Sequence, residues 1–197
     1  MRGLREGFYT WATVKLYYAV FYTARSALAL DDVALLYLGT KPHTITVSAG
    51  RLLDKKKGNS HNIVLSEYAR TNPNSVFLSQ QIEMKAPLDW LRERREEANY
   101  NNPRPSEPQA PPHFRFVASK GVRKTTLAYL SGTWDVYVFD PDHAMLAFPL
   151  LFWRDILVRS RTAGLGDVVI SELEFLRQVL RDENGPLAEV LRVASTR

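Results

Sequence analysis

Residues 8–30 read FYTWATVKLYYAVFYTARSALAL, an unbroken run without glycine or proline. Trp11, Val14, Tyr18, Phe21 and Leu28 recur at spacings of three, four or seven, and Tyr17, Val20 and Ala24 widen the stripe. That pattern predicts a long helix, apolar over much of its circumference and central in a bundle. Lys15 and Arg25 mark the edge that must reach water or a carboxylate. Each would cost about 2.5 to 3.5 kcal/mol near a bilayer centre, so a buried helix in a soluble protein is preferred to a membrane span. Asp31 and Asp32 interrupt the run, and Val33 to Leu38 are expected to continue as a short helical turn until Gly39.

Beyond this helix the pattern changes. Residues 43–48, HTITVS, alternate with β-branched residues and suit a short strand. Ser60 is placed to cap a helix through Arg70, with Ile63, Val64, Leu65 and Tyr68 facing inward. A second cap at Ser75 would open a short helix over residues 76–84. Pro87, with Asp89 behind it, opens a helix to about Ala98. Residues 101–113, NNPRPSEPQAPPH, hold five prolines and form an extended linker or a surface loop. Further on, residues 114–118 and 134–139 read as strands, and residues 122–130 fit helix or strand. Residues 143–159 are mostly helical despite Pro149. Gly164 and Gly166 form a hinge, Ser171 with Glu174 makes a capping box for a helix to about Asp182, and Gly185-Pro186 precedes a last helical stretch at 187–193.

The chain has 197 residues, 45% of them hydrophobic and 24% charged, which suits one folded core. It contains no cysteine, which excludes disulfides, thiolate metal sites and a cysteine nucleophile, and makes an intracellular, cytoplasmic location the expectation. The N-terminus lacks the pattern of a signal peptide. Net charge is +5, and the excess is N-terminal: residues 1–70 carry ten Lys/Arg against five Asp/Glu. Its densest point is Lys55, Lys56 and Lys57, a candidate nucleic-acid contact through phosphates.

Enzyme motifs are mostly absent. His43, His61, His113 and His143 show no metal-ligand spacing, so no metal or other cofactor is expected. There is no phosphate-binding GxxxxGK[ST] and no GxSxG; Gly164-Leu-Gly166 has only two glycines of a dinucleotide fingerprint. Asp140 and Asp142 around Pro141 suit a turn and helix cap better than a metal. The informative stretch is residues 92–100, RERREEANY. Arg95 and Asn99 lie four apart, sharing a helix face, with Tyr100 adjacent. An arginine, an amide and a phenol on one surface could grip a phosphate or stack on a base.

The segment from Lys15 to Ala29, KLYYAVFYTARSALA, resembles the first long helix of HEPN-domain proteins, helical bundles of prokaryotic toxin–antitoxin and antiviral systems. Gly58-Asn-Ser-His61 is similar to the loop before their second helix, and Arg94-Arg95-Glu-Glu-Ala-Asn-Tyr100 to an Arg-x-x-Ala-Asp-Tyr ending. The likeness covers about residues 11–100. Active members are metal-independent ribonucleases in which a histidine follows an arginine by four to six residues. No histidine stands at that spacing here; Asn99 and Tyr100 occupy the region. Asparagine is no base near neutral pH, and an ordinary phenol is a poor one.

The resemblance implies a HEPN-like bundle, and with the alternating patterns above the expectation is a mainly α fold with a small sheet from residues 43–48, 114–118 and 134–139. Residues 1–100 would form the helical region, and residues 114–197 would complete the same domain or form a small lobe. The expected role is a non-catalytic accessory subunit of a defence or toxin–antitoxin complex, contacting proteins such as an ATPase or nuclease subunit, and RNA or DNA. A homodimer through the helices bearing the motif is also open. The alternative is a divergent endoribonuclease, with Arg95 as phosphate clamp, Asn99 as orienter and Tyr100 as proton carrier.

Overall fold

The computed structural model describes residues 2–48, 50–101, 107–131, 137–181, 188 and 190–192. It is mainly helical. The chain order is α1 (Arg2–Arg5), α2 (Tyr9–Leu30), β1 (Val33–Leu38), β2 (Lys41–Thr46), β3 (Asp54–Lys55), α3 (Ser60–Thr71), α4 (Pro87–Glu96), α5 (Arg115–Lys120), α6 (Val122–Ser131), α7 (Ala144–Thr162) and α8 (Gly166–Val179). Single 3-10 turns occupy Val76–Leu78 and Pro112–Phe114, and a π-helical turn, Glu97–Asn101, extends α4. Among the described residues no helix is long and apolar enough to cross a membrane.

Two helices carry the core. α2 buries Tyr17, Val20, Phe21, Ala24 and Ala27, while α7 buries every residue from Ala144 to Phe148 together with Phe152. They pack on each other, and α3 and α4 lean on α2. Aromatic edges join α3 to α7, where Tyr68 and Phe152 lie 5.0 Å apart and Phe77 bridges to Phe148 at 5.4 Å. A smaller cluster of Leu130, Leu157, Leu173 and Val190 sits where α6, α7 and α8 meet. Pro149 falls inside α7, which runs on through it.

The N-terminus of α2 has no side-chain cap of its own. Its orphan Thr10 N–H donates instead to Glu107 Oε1 at 2.7 Å, which sets a carboxylate against the positive end of the helix. The described part of the proline segment is thus fastened to the bundle. Gly7, at φ +81°, permits the approach: a Cβ there would lie 3.2 Å from Pro108.

The sheet differs from the sequence reading. Residues 33–38 form β1 rather than a helical turn, pairing antiparallel with β2 from Val33↔Thr46 to Leu38↔Lys41. Gly39, at φ 61°, opens the two-residue turn between them. The expected strand 43–48 is thus β2, two residues earlier. Residues 114–118 are helical: Pro111 and Pro112 start a 3-10 turn that runs into α5. Tyr137 to Phe139 are loop and turn, and residues 134–136 lie outside the described residues.

Helix starts differ too. Asn59, not Ser60, caps α3, its Oδ1 accepting from Asn62 N–H at 2.9 Å. Ser171 lies inside α8, which begins at Gly166. The helix expected over 76–84 stops at Leu78. A tight turn follows, with Glu83 and Met84 both at positive φ and Ile82 and Lys85 exchanging both backbone hydrogen bonds.

Candidate nucleic-acid interface

α2, the first turn of α3 and the end of α4 meet around one imidazole and one guanidinium. The His61 ring stacks 5.6 Å from Tyr17, meets Tyr18 edge-on at 5.3 Å and lies 4.4 Å from Phe21. Its Nδ1 is 3.2 Å from the Tyr17 hydroxyl. Arg95, from α4, lies with its Cζ 5.7 Å from the Tyr17 ring, 5.9 Å from Tyr18 and 5.7 Å from Tyr100. Cation–π attraction holds a guanidinium among phenols while leaving its positive charge uncancelled.

No carboxylate pairs with Arg95 among the described residues, and its buried Nε has no hydrogen-bond partner. The missing carboxylate sets it apart from its neighbours: Arg92 bonds Asp89 at 3.0 Å, and Arg94, whose buried Nε is likewise without a partner, bonds Glu97 at 3.1 Å. Burial, reinforced by the Arg95 charge, holds the His61 imidazole below its ordinary pKa. His61 is therefore neutral at pH 7, with Nε2 unbonded among the described residues. Burial pushes the Tyr17 phenol up to about 12 against the pull of Arg95 and Arg92, so Tyr17 keeps its proton.

The structure sets Tyr100 against Arg95. An α-helix would place Asn99, four residues on, beside Arg95. The chain instead widens into the π-helical turn Glu97–Asn101, whose larger residue count per turn carries Tyr100 onto the arginine. Asn99 is exposed and has no hydrogen bond to Arg95 among the described residues. Tyr100 is 74% exposed, a free ring face beside a cation.

The structure places the three lysines of the run in different surroundings. Lys56 is bonded to Glu67 at 2.7 Å and Asp54 at 2.6 Å, so its charge is already matched inside the fold. Lys55 and Lys57 are exposed, Lys55 in β3. The residue that sequence reasoning missed is His61, along with the role of Tyr17 and Tyr18. Its signal was the Gly58-Asn-Ser-His61 loop, which ends on the first turn of a helix facing the tyrosine pair. The exposed side of α2 adds Trp11, Lys15, Tyr22 and Arg25, and the whole helix lacks an acidic residue. No group of three or more metal-ligating side chains assembles among the described residues.

No protein-family model, no curated protein and no solved structure matches this chain. The functional reading therefore starts from the chemistry of the cluster.

Proposed function

We propose that this chain is a HEPN-like accessory subunit of a prokaryotic defence or toxin–antitoxin complex, and that it contacts RNA through the Arg95 cluster. One observation carries the contact: a guanidinium held among three phenol rings without a carboxylate, beside a neutral imidazole. A cation so placed is free for a phosphodiester, and Tyr100 and Tyr22 offer ring faces on which bases can stack. Lys15 and Arg25 extend the positive potential along the same helix. The placement of this chain in a defence or toxin–antitoxin assembly is supported by the resemblance over residues 11–100.

A second reading, the metal-independent endoribonuclease, is favoured by His61, which supplies from α3 the base that the Arg95 segment lacks. In that reading Nδ1 carries the ring proton and donates it to the Tyr17 hydroxyl oxygen, and the free Nε2 takes the proton of a 2′-hydroxyl, whose oxygen attacks the adjacent phosphorus. The bond to the 5′-oxygen breaks, a cyclic 2′,3′-phosphate forms, and the leaving oxygen takes a proton from water. Arg95 stabilises the charge that grows on the phosphoryl oxygens. Tyr17 positions His61, and Tyr100 is a stacking residue rather than a proton carrier.

Anisotropy titrations of the whole chain with labelled single-stranded RNA and DNA, at several salt concentrations, test both readings beside gel analysis of the RNA. Salt-sensitive binding of intact RNA, lost in Arg95→Ala, supports the accessory subunit. Cleavage lost in both His61→Ala and Arg95→Ala supports the nuclease. Binding that neither salt nor Arg95→Ala weakens overturns both.

A further inference from the structure

The small sheet has an open side. Its strand order is β1-β2-β3, so β1 is an edge among the described residues. β1 reads VALLYL, with no charge, proline or glycine over six residues. Solvent-facing edges usually carry lysine, proline or a bulge that prevents pairing with another chain. None guards this one, and Leu36, Tyr37 and Leu38 are 41%, 50% and 54% exposed.

The hairpin register fixes which backbone groups lie on that edge. The two-residue turn makes Leu38–Lys41 a hydrogen-bonded pair, and Val47 N–H donates to Asp32 C=O at 2.7 Å at the other end. Alternation then turns Leu36 and Ala34 toward β2, and Val33, Leu35 and Tyr37 toward the open edge. These three make no backbone hydrogen bond outside the sheet among the described residues. Three residues thus turn N–H and C=O groups toward the edge in strand geometry, with Val33 the least accessible of them at 7% exposure.

We propose that this edge pairs with β1 of a second copy of the same chain, forming one continuous sheet across a two-fold axis at Leu35. The strand is complementary to itself in that arrangement. Val33 stands opposite the partner's Tyr37, Leu35 opposite the partner's Leu35, and Tyr37 opposite the partner's Val33. Each outward residue meets an outward residue, and about six backbone hydrogen bonds form. Charge selects the antiparallel sense. In the two-fold arrangement the Asp32 that precedes the strand stands level with the partner's Leu38, whose own hairpin neighbour is a lysine, whereas a parallel pair in register would set Asp32 beside Asp32. The same axis joins the outward apolar side chains Ala34, Leu36 and Ile45 of both copies into one band. This surface is distinct from the helices that carry Arg95 and His61.

Sedimentation of the full chain at micromolar concentrations tests the pairing, with a dimer of twice 22.5 kDa expected. Tyr37→Pro removes an N–H that faces the open edge and not β2, so the hairpin survives while two intermolecular hydrogen bonds are lost. The dimer should weaken about tenfold or more. Tyr37→Lys, which places a charge on the edge without touching the backbone, should weaken it likewise, with circular dichroism unchanged in both. Because the chain has no cysteine, Leu36→Cys accepts a single spin label. The two labelled backbones would lie about 7 to 8 Å apart as diagonal neighbours, so strong dipolar broadening is expected. A monomeric wild type, a dimer indifferent to both Tyr37 variants, or labels without broadening would each overturn the proposal.

Discussion

Two arginines show opposite uses of the same side chain. Arg159, on α7, bonds Asp31 at 2.6 Å and Asn72 at 3.1 Å, and Asn72 in turn donates to Asp31 at 2.8 Å. That triangle ties the ends of α2 and α3 to α7, and every charge in it has a partner. Arg95 also sits where helices meet, yet it touches rings and no carboxylate. A saturated arginine clamps helices together, while an unsaturated one keeps its charge for something outside the chain. The comparison predicts that stability and binding will separate cleanly between the two regions.

The sharpest break should come at another saturated group. Glu67 is 5% exposed and holds both Lys56 and Arg70, the latter at 2.8 and 3.0 Å. Glu67→Ala leaves the half-buried Lys56 with only the exposed Asp54, and should cost about 2 to 3 kcal/mol in urea denaturation. Burial alone would raise the Glu67 pKa, but Arg70 and Lys56 outweigh it and the pKa is lowered. Its contribution is therefore present above the unfolded carboxylate pKa and is lost as pH falls below that value.

Acid should act first through the histidines. Burial, with the Arg94 charge beside it, lowers His113 to about 4. A group depressed in the folded state takes up protons mainly on unfolding, so stability falls as pH drops below 6.5 and continues to fall to the folded value. Between pH 7.5 and 4.5 the loss from His113 should be about 2 kcal/mol, measured by denaturant midpoints across pH. His113→Gln should flatten that slope. His61, depressed for the same reason, contributes in the same direction.

Arg159→Ala should cost about 2 kcal/mol, since Asp31 and Asn72 then lose a charged donor in a partly buried triangle. Thermal melts would record it, and RNA affinity should be unchanged.

Legibility from sequence followed how local each decision was. α2 was readable because its apolar residues persist for six turns, although Trp11 of the expected stripe is 65% exposed, and α4 because Pro87 marks its start. VALLYL was not, since six apolar residues fit a helical turn and a strand equally, and pairing with β2 across the Gly39 turn decides between them. The alternation of Phe114-Arg-Phe-Val117 was too short to resist the helical start imposed by Pro111-Pro112. In the site, Arg95 and Tyr100 could be picked out on residue type. That Tyr100 itself reaches Arg95 was not readable, because sequence spacing assumes an α-helical period where the chain takes a π turn. His61 lies 34 positions before Arg95, and only the packing of α3 on α2 brings them together.

The smallest stability effect belongs to Arg95, and it tests the comparison most directly. Its contacts are three rings, and cation–π attraction at half-exposed sites is worth about 0.5 to 1 kcal/mol each at most, offset by the cost of a buried Nε without a partner. Arg95→Ala should therefore shift the urea midpoint by less than about 1 kcal/mol, several-fold less than Glu67→Ala. Affinity for single-stranded RNA should nevertheless fall about tenfold, the loss expected when one charge-assisted phosphate contact is removed. Arg95→Lys separates the two parts of the effect. It keeps the charge but not the planar guanidinium that lies among Tyr17, Tyr18 and Tyr100, so it should recover the salt slope of binding without recovering full affinity. A stability loss as large as that of Arg159→Ala, with RNA affinity unmoved, would place Arg95 among the clamps and remove the distinction between the two arginines.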